Sequence, residues 1–243
     1  MGKSVQALRN RQETAAGHCS IPALQGKFKS ALATPNAMRL YAFTDLHGNT
    51  KALAHIKEVV RKERPDVVVC LGDLTVFEHE AKALLSRVNL LRVPVLMLHG
   101  NHEAEGRFRK ACGEFPRIRF LHKESVTIGG WTFVAFGGGG FEERHPELEA
   151  WTKSKELKGI DWERAVFLSH APPHGTTLDD IGERGEEWHV GSRSLAQLVK
   201  KHHPRLLLAG HLHECFHRHD KKGRTAMANP GPLGKLFDLE KLK

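Results

Sequence analysis

Near the end of the chain, Gly210-His211-Leu212-His213 places two histidines one residue apart, directly after the apolar run 206–209. In extended backbone, residues i and i+2 point to the same side, so both imidazoles could face one ion. Among 17 histidines such a pair is weak evidence by itself. Four upstream stretches change its weight. Asp45-Leu46-His47, Gly72-Asp73, Gly100-Asn101-His102-Glu103 and Ser169-His170 each stand, like the histidine pair, at the C-terminal end of an apolar run. Together they supply Asp45, His47, Asp73, Asn101, His102, His170, His211 and His213. Taken singly, an Asp or Asn after a strand is usually a turn former or a helix cap. Jointly, the bland account needs five separate runs to end by accident in oxygen- or imidazole-bearing residues.

The donor types restrict the ion. Four imidazoles, two carboxylates and one amide oxygen, with no thiolate, suit Mn, Fe, Zn, Co or Ni better than Mg or Ca, which favour all-oxygen sites. Seven donors exceed one tetrahedral site but suit two divalent ions sharing a carboxylate. Such a pair clamps a phosphate, acidifies a bridging water and stabilises charge on the attacking and leaving oxygens. A histidine left over from ligation can protonate the leaving alkoxide.

The elements that must position these residues alternate regularly. The strand 38–44 precedes Asp45. A helix capped by Asn49 or Thr50 carries Leu53, Ile56, Val59 and Val60 at helical spacing and stops before Pro65. The apolar run 66–71 reads as a strand buried on both faces. A helix over 79–89 leads to the strand 93–98. This βαβαβ order implies a largely parallel sheet with right-handed crossovers, and ligands bind beyond the carboxyl ends of such strands. Short strands at 119–122, 125–128 and 131–136 suggest a hairpin-rich second sheet. Four glycines, Gly137 to Gly140, lack the Lys-Ser/Thr of a phosphate loop and read as a turn into the site. Residues 141–160 read as a surface loop with one helical turn, anchored by Trp151 and Trp162. The strand 165–169, a helix capped by Ser192 and ending near His202, and a strand over 205–209 complete the route to the histidine pair. A hairpin of 215–219 and 225–228 and a final strand over 236–239 follow.

Composition bounds the rest. At 243 residues the chain fits one full-sized domain, 37–243, after a basic N-terminal tail over 1–36 that carries a short helix near Val5. Cys19, Cys70, Cys112 and Cys215 form no CxxC pair, which argues for a reducing compartment and against both a disulfide framework and a thiolate zinc site. No apolar run approaches the ~20 residues of a membrane span, so the expected location is cytoplasmic. The net charge is +9. Residues 1–37 hold five of the basic residues against Glu13 alone. A basic field steers any anionic substrate, so charge does not separate a nuclease from a small-molecule phosphoesterase.

The five motifs, in this order, resemble the calcineurin-like metallophosphoesterase family over about 38–243. The resemblance implies an α/β fold of two packed mixed β-sheets flanked by helices, in four layers αββα. It also implies two divalent transition-metal ions, Mn first among them. Carried over motif by motif, one ion falls to Asp45, His47, Asp73 and His213, the other to Asp73, Asn101, His170 and His211, with Asp73 bridging. His102 becomes the proton donor or phosphate contact. Gly72-Asp73-Leu74-Thr75 lacks the Asp-Arg-Gly that follows in protein phosphatases, which turns the expectation from phosphoproteins toward small phosphate esters, nucleotides among them. Stand-alone phosphodiesterases are the nearer likeness, and a nuclease or a metal-binding scaffold without chemistry are the alternatives.

Overall fold

The computed structural model describes residues 38–182 and 188–242; the tail and the helix expected near Val5 lie outside them. Two sheets organise the rest. The first has the order β11-β1-β2-β3-β4, formed by Lys235–Asp238, Arg39–Phe43, Val67–Cys70, Val95–Met97 and Ile118–Phe120. Its strands run parallel except β11, which pairs antiparallel with β1. The second has the order β5-β6-β7-β8-β10-β9, formed by Glu124–Ile128, Trp131–Phe136, Ala165–Ser169, Leu206–Leu208, Thr225–Ala228 and His219–Lys222. There β6, β7, β8 and β10 are parallel, and antiparallel hairpin partners close both edges.

Both faces of the central strands are apolar because both are covered. On one face of the first sheet Tyr41, Phe43, Val68, Cys70, Val95 and Met97 share a buried cluster with residues of the helices α1 (Thr50–Glu63), α2 (Ala81–Asn89) and α3 (Glu105–Cys112). On the second sheet Val134, Phe136, Phe167 and Leu207 pack with residues of α4 (Pro146–Trp151) and α5 (Arg193–His202). The alternate residues Leu40, Ala42, Val67, Val69 and Leu96, with Phe133, Val166, Leu168 and Leu208, are equally inaccessible. Period-two burial on both faces is what packing sheet against sheet requires. Each such Val, Leu or Phe is worth roughly 1.5–3 kcal/mol of transfer free energy. The expected arrangement of two mixed sheets flanked by helices is the one observed.

Local signals set the helix ends. Asn49 caps α1 by accepting from the backbone N–H groups of Lys51 and Ala52, and Arg64, left-handed at φ 49°, closes it ahead of Pro65. Ser192 caps α5 by accepting from the Leu195 N–H. No helix among the described residues is long and apolar enough to cross a membrane.

Three readings need correction. Helix α3 was not expected; it is polar, and only Phe108 and Cys112, one turn apart, are buried. Because it forms a crossover, β4 joins the first sheet parallel to β3 rather than starting a hairpin in the second. Residues 215–218 are not strand. A 3-10 turn, His213–Cys215, follows the histidine pair, and the hairpin begins at His219. The stretch 141–160 is more ordered than a loop. It holds α4 and a 3-10 turn, and buried Trp151 donates its indole N–H to Glu156 at 2.7 Å.

Candidate metal centre

All eight candidate residues come from loops at the carboxyl ends of strands. Asp45 and His47 follow β1, Asp73 follows β2, Asn101 and His102 follow β3, His170 follows β7, and His211 and His213 follow β8. They meet where the carboxyl ends of the two sheets adjoin.

The turns that carry them are tight. Asp45, His47, Asp73 and His211 all have positive φ, between 44° and 69°. Such conformations cost on the order of 1 kcal/mol each and persist only when the surroundings fix them. Here the fixing bonds cross between loops: Asp45 N–H donates to Gly72 O at 3.1 Å, and His47 N–H to Asp73 O at 2.9 Å. Two glycines permit the close approach. A Cβ at Gly100 would collide with Asp73 Oδ1, and one at Gly210 with Thr44 Oγ1 and Asp45 Oδ2.

Asp73 is the centre of the arrangement. Its Oδ1 accepts from the His102 N–H at 3.0 Å. Its Oδ2 stands 3.4 Å from His170 Nε2, 3.7 Å from His47 Nε2 and 3.9 Å from His102 Nε2. Burial pushes this carboxyl up, but His170 and His102 outweigh it and hold the pKa down at about 2, so it is anionic at any working pH.

Asp45 uses its oxygens differently. Oδ2 accepts from Thr44 Oγ1 at 2.7 Å and from the His211 N–H at 3.0 Å. Oδ1 is buried with no hydrogen-bond partner. It faces His213 Nε2 at 3.8 Å and His47 Nε2 at 3.9 Å, and those two nitrogens are 3.1 Å apart. A buried carboxylate oxygen flanked only by imidazole nitrogens is costly unless a cation or proton joins them.

The other side repeats the pattern. His170 Nδ1 lies 3.0 Å from the Leu71 carbonyl, which only accepts, so the hydrogen sits on Nδ1 and Nε2 is bare in the neutral ring. That bare nitrogen is 3.0 Å from Asn101 Oδ1, and His211 Nδ1 reaches the same oxygen at 3.0 Å. Burial pushes His170 down, but the Asp73 carboxylate more than offsets it and the pKa is raised. The ring seeks positive charge. His211 goes the other way: burial, with His170 beside it, lowers its pKa to about 4, leaving a neutral imidazole with a lone pair. Burial also lowers His47, against the pull of Asp73 and Asp45. Three groups have ligand atoms mutually close enough for one ion: Asp45, His47 and His213; His47, Asp73 and His102; Asp73, His170 and His211. Unpartnered acceptors and convergent lone pairs of this kind fit divalent cations.

Residues not singled out from sequence hold these groups in place. Glu103 is buried and accepts from the N–H groups of Asp73 at 3.0 Å, Gly100 at 2.8 Å and Thr75 at 2.9 Å, and from Thr75 Oγ1 at 2.8 Å. It ties the loop after β2 to the loop after β3. Replacing it with Gln leaves an amide facing N–H donors, so Glu103→Gln should destabilise the fold by about 1–3 kcal/mol and weaken metal affinity by roughly 10–100-fold. Urea unfolding and metal titration measure the two effects, and an unchanged variant would rule out the bracing role.

Behind the site, His99 packs under the glycine turn, 4.9 Å ring to ring from His122. Gly138 N–H donates to His99 O at 2.7 Å, so the turn is pinned. Burial and His122 lower the His99 pKa to about 4. An unfolded histidine titrates near ~6.5, so below that pH the unfolded chain binds more protons than the folded one, for His99 and His211 alike. Stability present above ~6.5 is therefore lost as pH falls toward about 4. Urea midpoints of metal-free protein should drop across that window; a flat profile there would contradict burial of neutral imidazoles.

Comparison with known proteins agrees with this architecture. A family model described as calcineurin-like phosphoesterase matches residues 38–215. An uncharacterized protein of Methanocaldococcus jannaschii is 28% identical over 215 residues, covering 84% of this chain and 93% of its own. A probable cyclic nucleotide phosphodiesterase of Synechococcus is 24% identical over 206 residues, covering 79% and 69%. A crystal structure of a Thermus thermophilus protein superposes with a TM-score of 0.69 at 20% identity, covering 86% of this chain and 97% of that one. The chain belongs to the calcineurin-like phosphoesterase family.

Proposed function

We propose that the protein is a dinuclear metal-dependent phosphoesterase that favours diesters of small molecules and acts in the cytoplasm. The observation that carries this reading is Asp73 Oδ2, within 3.4–3.9 Å of imidazole nitrogens from three different loops. Asp45, His47, Asp73 and His213 would hold one divalent ion, and Asp73, Asn101, His170 and His211 the other, with Mn the favoured metal. When bound, the pair supplies Lewis-acid charge stabilisation and a water acidic enough to attack phosphorus at neutral pH.

The chain's own residues do the rest. Asp73 remains ionised because His170 and His102 overcome its burial. The Leu71 carbonyl fixes the His170 tautomer. In this assignment His102 is left over from ligation: its ring meets His47 edge-on at 4.7 Å and lies tilted over Phe77 at 4.5 Å, and its backbone N–H is tied to Asp73. We assign it the proton delivered to the leaving alkoxide. His213, with a half-exposed side chain, lies on the open side where substrate enters.

The test is chelator-stripped protein resupplied with Mn and offered an aryl phosphodiester and the matching monoester. Turnover should return with metal and be faster on the diester. Protein that no divalent metal activates toward either ester would refute the reading.

A further inference from the structure

Large apolar side chains that remain in water are informative when they cluster at a site. Among the described residues Phe77 is 78% exposed and Phe141 70%. Both pack on histidines of the metal centre, on different loops. Phe77 lies 4.5 Å from the His102 ring, and Phe141 lies 4.6 Å from the His211 ring. His102 neighbours His47, and His211 neighbours His170. The two phenyl rings thus flank the proposed centre, one beside each ligand set.

Neither ring is placed casually. Phe77 has φ 48° and Glu78 φ 62°, left-handed conformations that ordinary side chains avoid. The loop is held there by its own bonds. Thr75 Oγ1 accepts from the Glu78 N–H at 3.1 Å, and the Glu78 carboxylate accepts from the Ala104 N–H at 2.8 Å and pairs with Arg107 at 2.9 Å. Phe141 follows the four-glycine turn, where the Gly140 N–H donates to the Glu142 carboxylate at 2.8 Å and the Arg193 N–H donates to the Glu143 carbonyl. Strain and hydrogen bonds maintain two exposed aromatic faces beside a phosphate-sized polar centre. Burying them in a core would need neither.

We infer that Phe77 and Phe141 determine specificity by stacking on a planar aromatic group of the phosphate ester, a nucleobase or an aryl ring. The inference rests on the phosphoesterase reading and adds the chemistry of the organic part of the substrate. Stacking of a base on an aromatic side chain is sequence-tolerant and sensitive to truncation to alanine.

The test is calorimetric binding to the Mn-loaded protein of adenosine monophosphate, phenyl phosphate and ribose 5-phosphate. Wild-type protein should bind at least one of the two aromatic phosphates roughly tenfold more tightly than ribose 5-phosphate. Preference for adenosine monophosphate identifies a nucleobase, and preference for phenyl phosphate a smaller aryl group. Phe77→Ala and Phe141→Ala should each remove most of that preference while ribose 5-phosphate binding stays within about twofold. An equal loss for all three ligands would show that the rings only support His102 and His211, and unchanged affinities would show that they contact nothing; either overturns the inference. A wild-type protein that binds all three ligands equally would overturn it alone. One that binds none would overturn the inference too, and only if it also hydrolyses neither aryl ester would the phosphoesterase reading beneath it fall.

Discussion

Asp73→Asn should reduce metal content from two ions per chain to fewer than one and lower turnover by at least ~10³-fold, the several kcal/mol expected when metal charge stabilisation is lost. The reason is geometric. In the proposed assignment Asp73 serves both ions and Asp45 one, and Asp73 Oδ2 stands 3.4 Å from His170 Nε2 and 3.7 Å from His47 Nε2, one ring from each ligand set. Asparagine keeps an acceptor for the His102 N–H, so the loop after β2 retains its shape, but it presents an amide where three imidazoles meet an anion. The fold should survive, checked by circular dichroism, while His170 loses the partner that raises its pKa. Asp45→Asn should be milder, leaving the group of Asp73, His170 and His211 intact. If Asp73→Asn keeps two ions, the carboxylate does not bridge.

His102→Ala should act on chemistry and not on metal content. Loss of a positioned general acid costs roughly 10²–10⁴-fold, but only where the leaving group needs the proton. Esters of simple alcohols should therefore lose most of their turnover, while nitrophenyl esters, whose leaving groups depart as anions, should lose less than about tenfold. The ratio of the two losses is the diagnostic. An equal loss for both esters would mean that His102 orients phosphate or metal and donates no proton. The pattern also separates His102 from Phe77, whose removal should weaken binding of aromatic esters and spare ribose 5-phosphate.

How much was legible in the sequence depended on the kind of interaction. The eight polar residues stood out because each follows an apolar run, and a parallel sheet delivers such positions to one end. The strands Val67–Cys70 and Ala165–Ser169 were equally plain, since burial on both faces leaves a nearly continuous apolar run. Helix α3 was hidden because two buried residues suffice to dock it, and β4 was then assigned to the wrong sheet. Glu103 was visible as a letter of its motif, but its role depends on N–H groups of Asp73, Gly100 and Thr75 that only the folded loops bring together. The left-handed backbone at Asp45, His47, Asp73 and His211 is likewise imposed by cross-loop hydrogen bonds; Asp and His tolerate it without requiring it. Phe77 and Phe141 carried no periodic signal. Their significance appears only when each ring is found exposed and resting on a site histidine.

Asp45 Oδ1, buried without a hydrogen-bond partner and facing two imidazole nitrogens, should weaken this region in the metal-free protein. Cation binding to the folded state alone would convert that penalty into stabilisation. The most direct measurement is titration of metal-free protein with Mn, following bound metal and phosphodiester hydrolysis in the same samples. Two ions per chain should bind, activity should plateau at the second equivalent, and the unfolding temperature should rise with occupancy. Full activity at one equivalent, or hydrolysis that survives complete chelation, would contradict the dinuclear account.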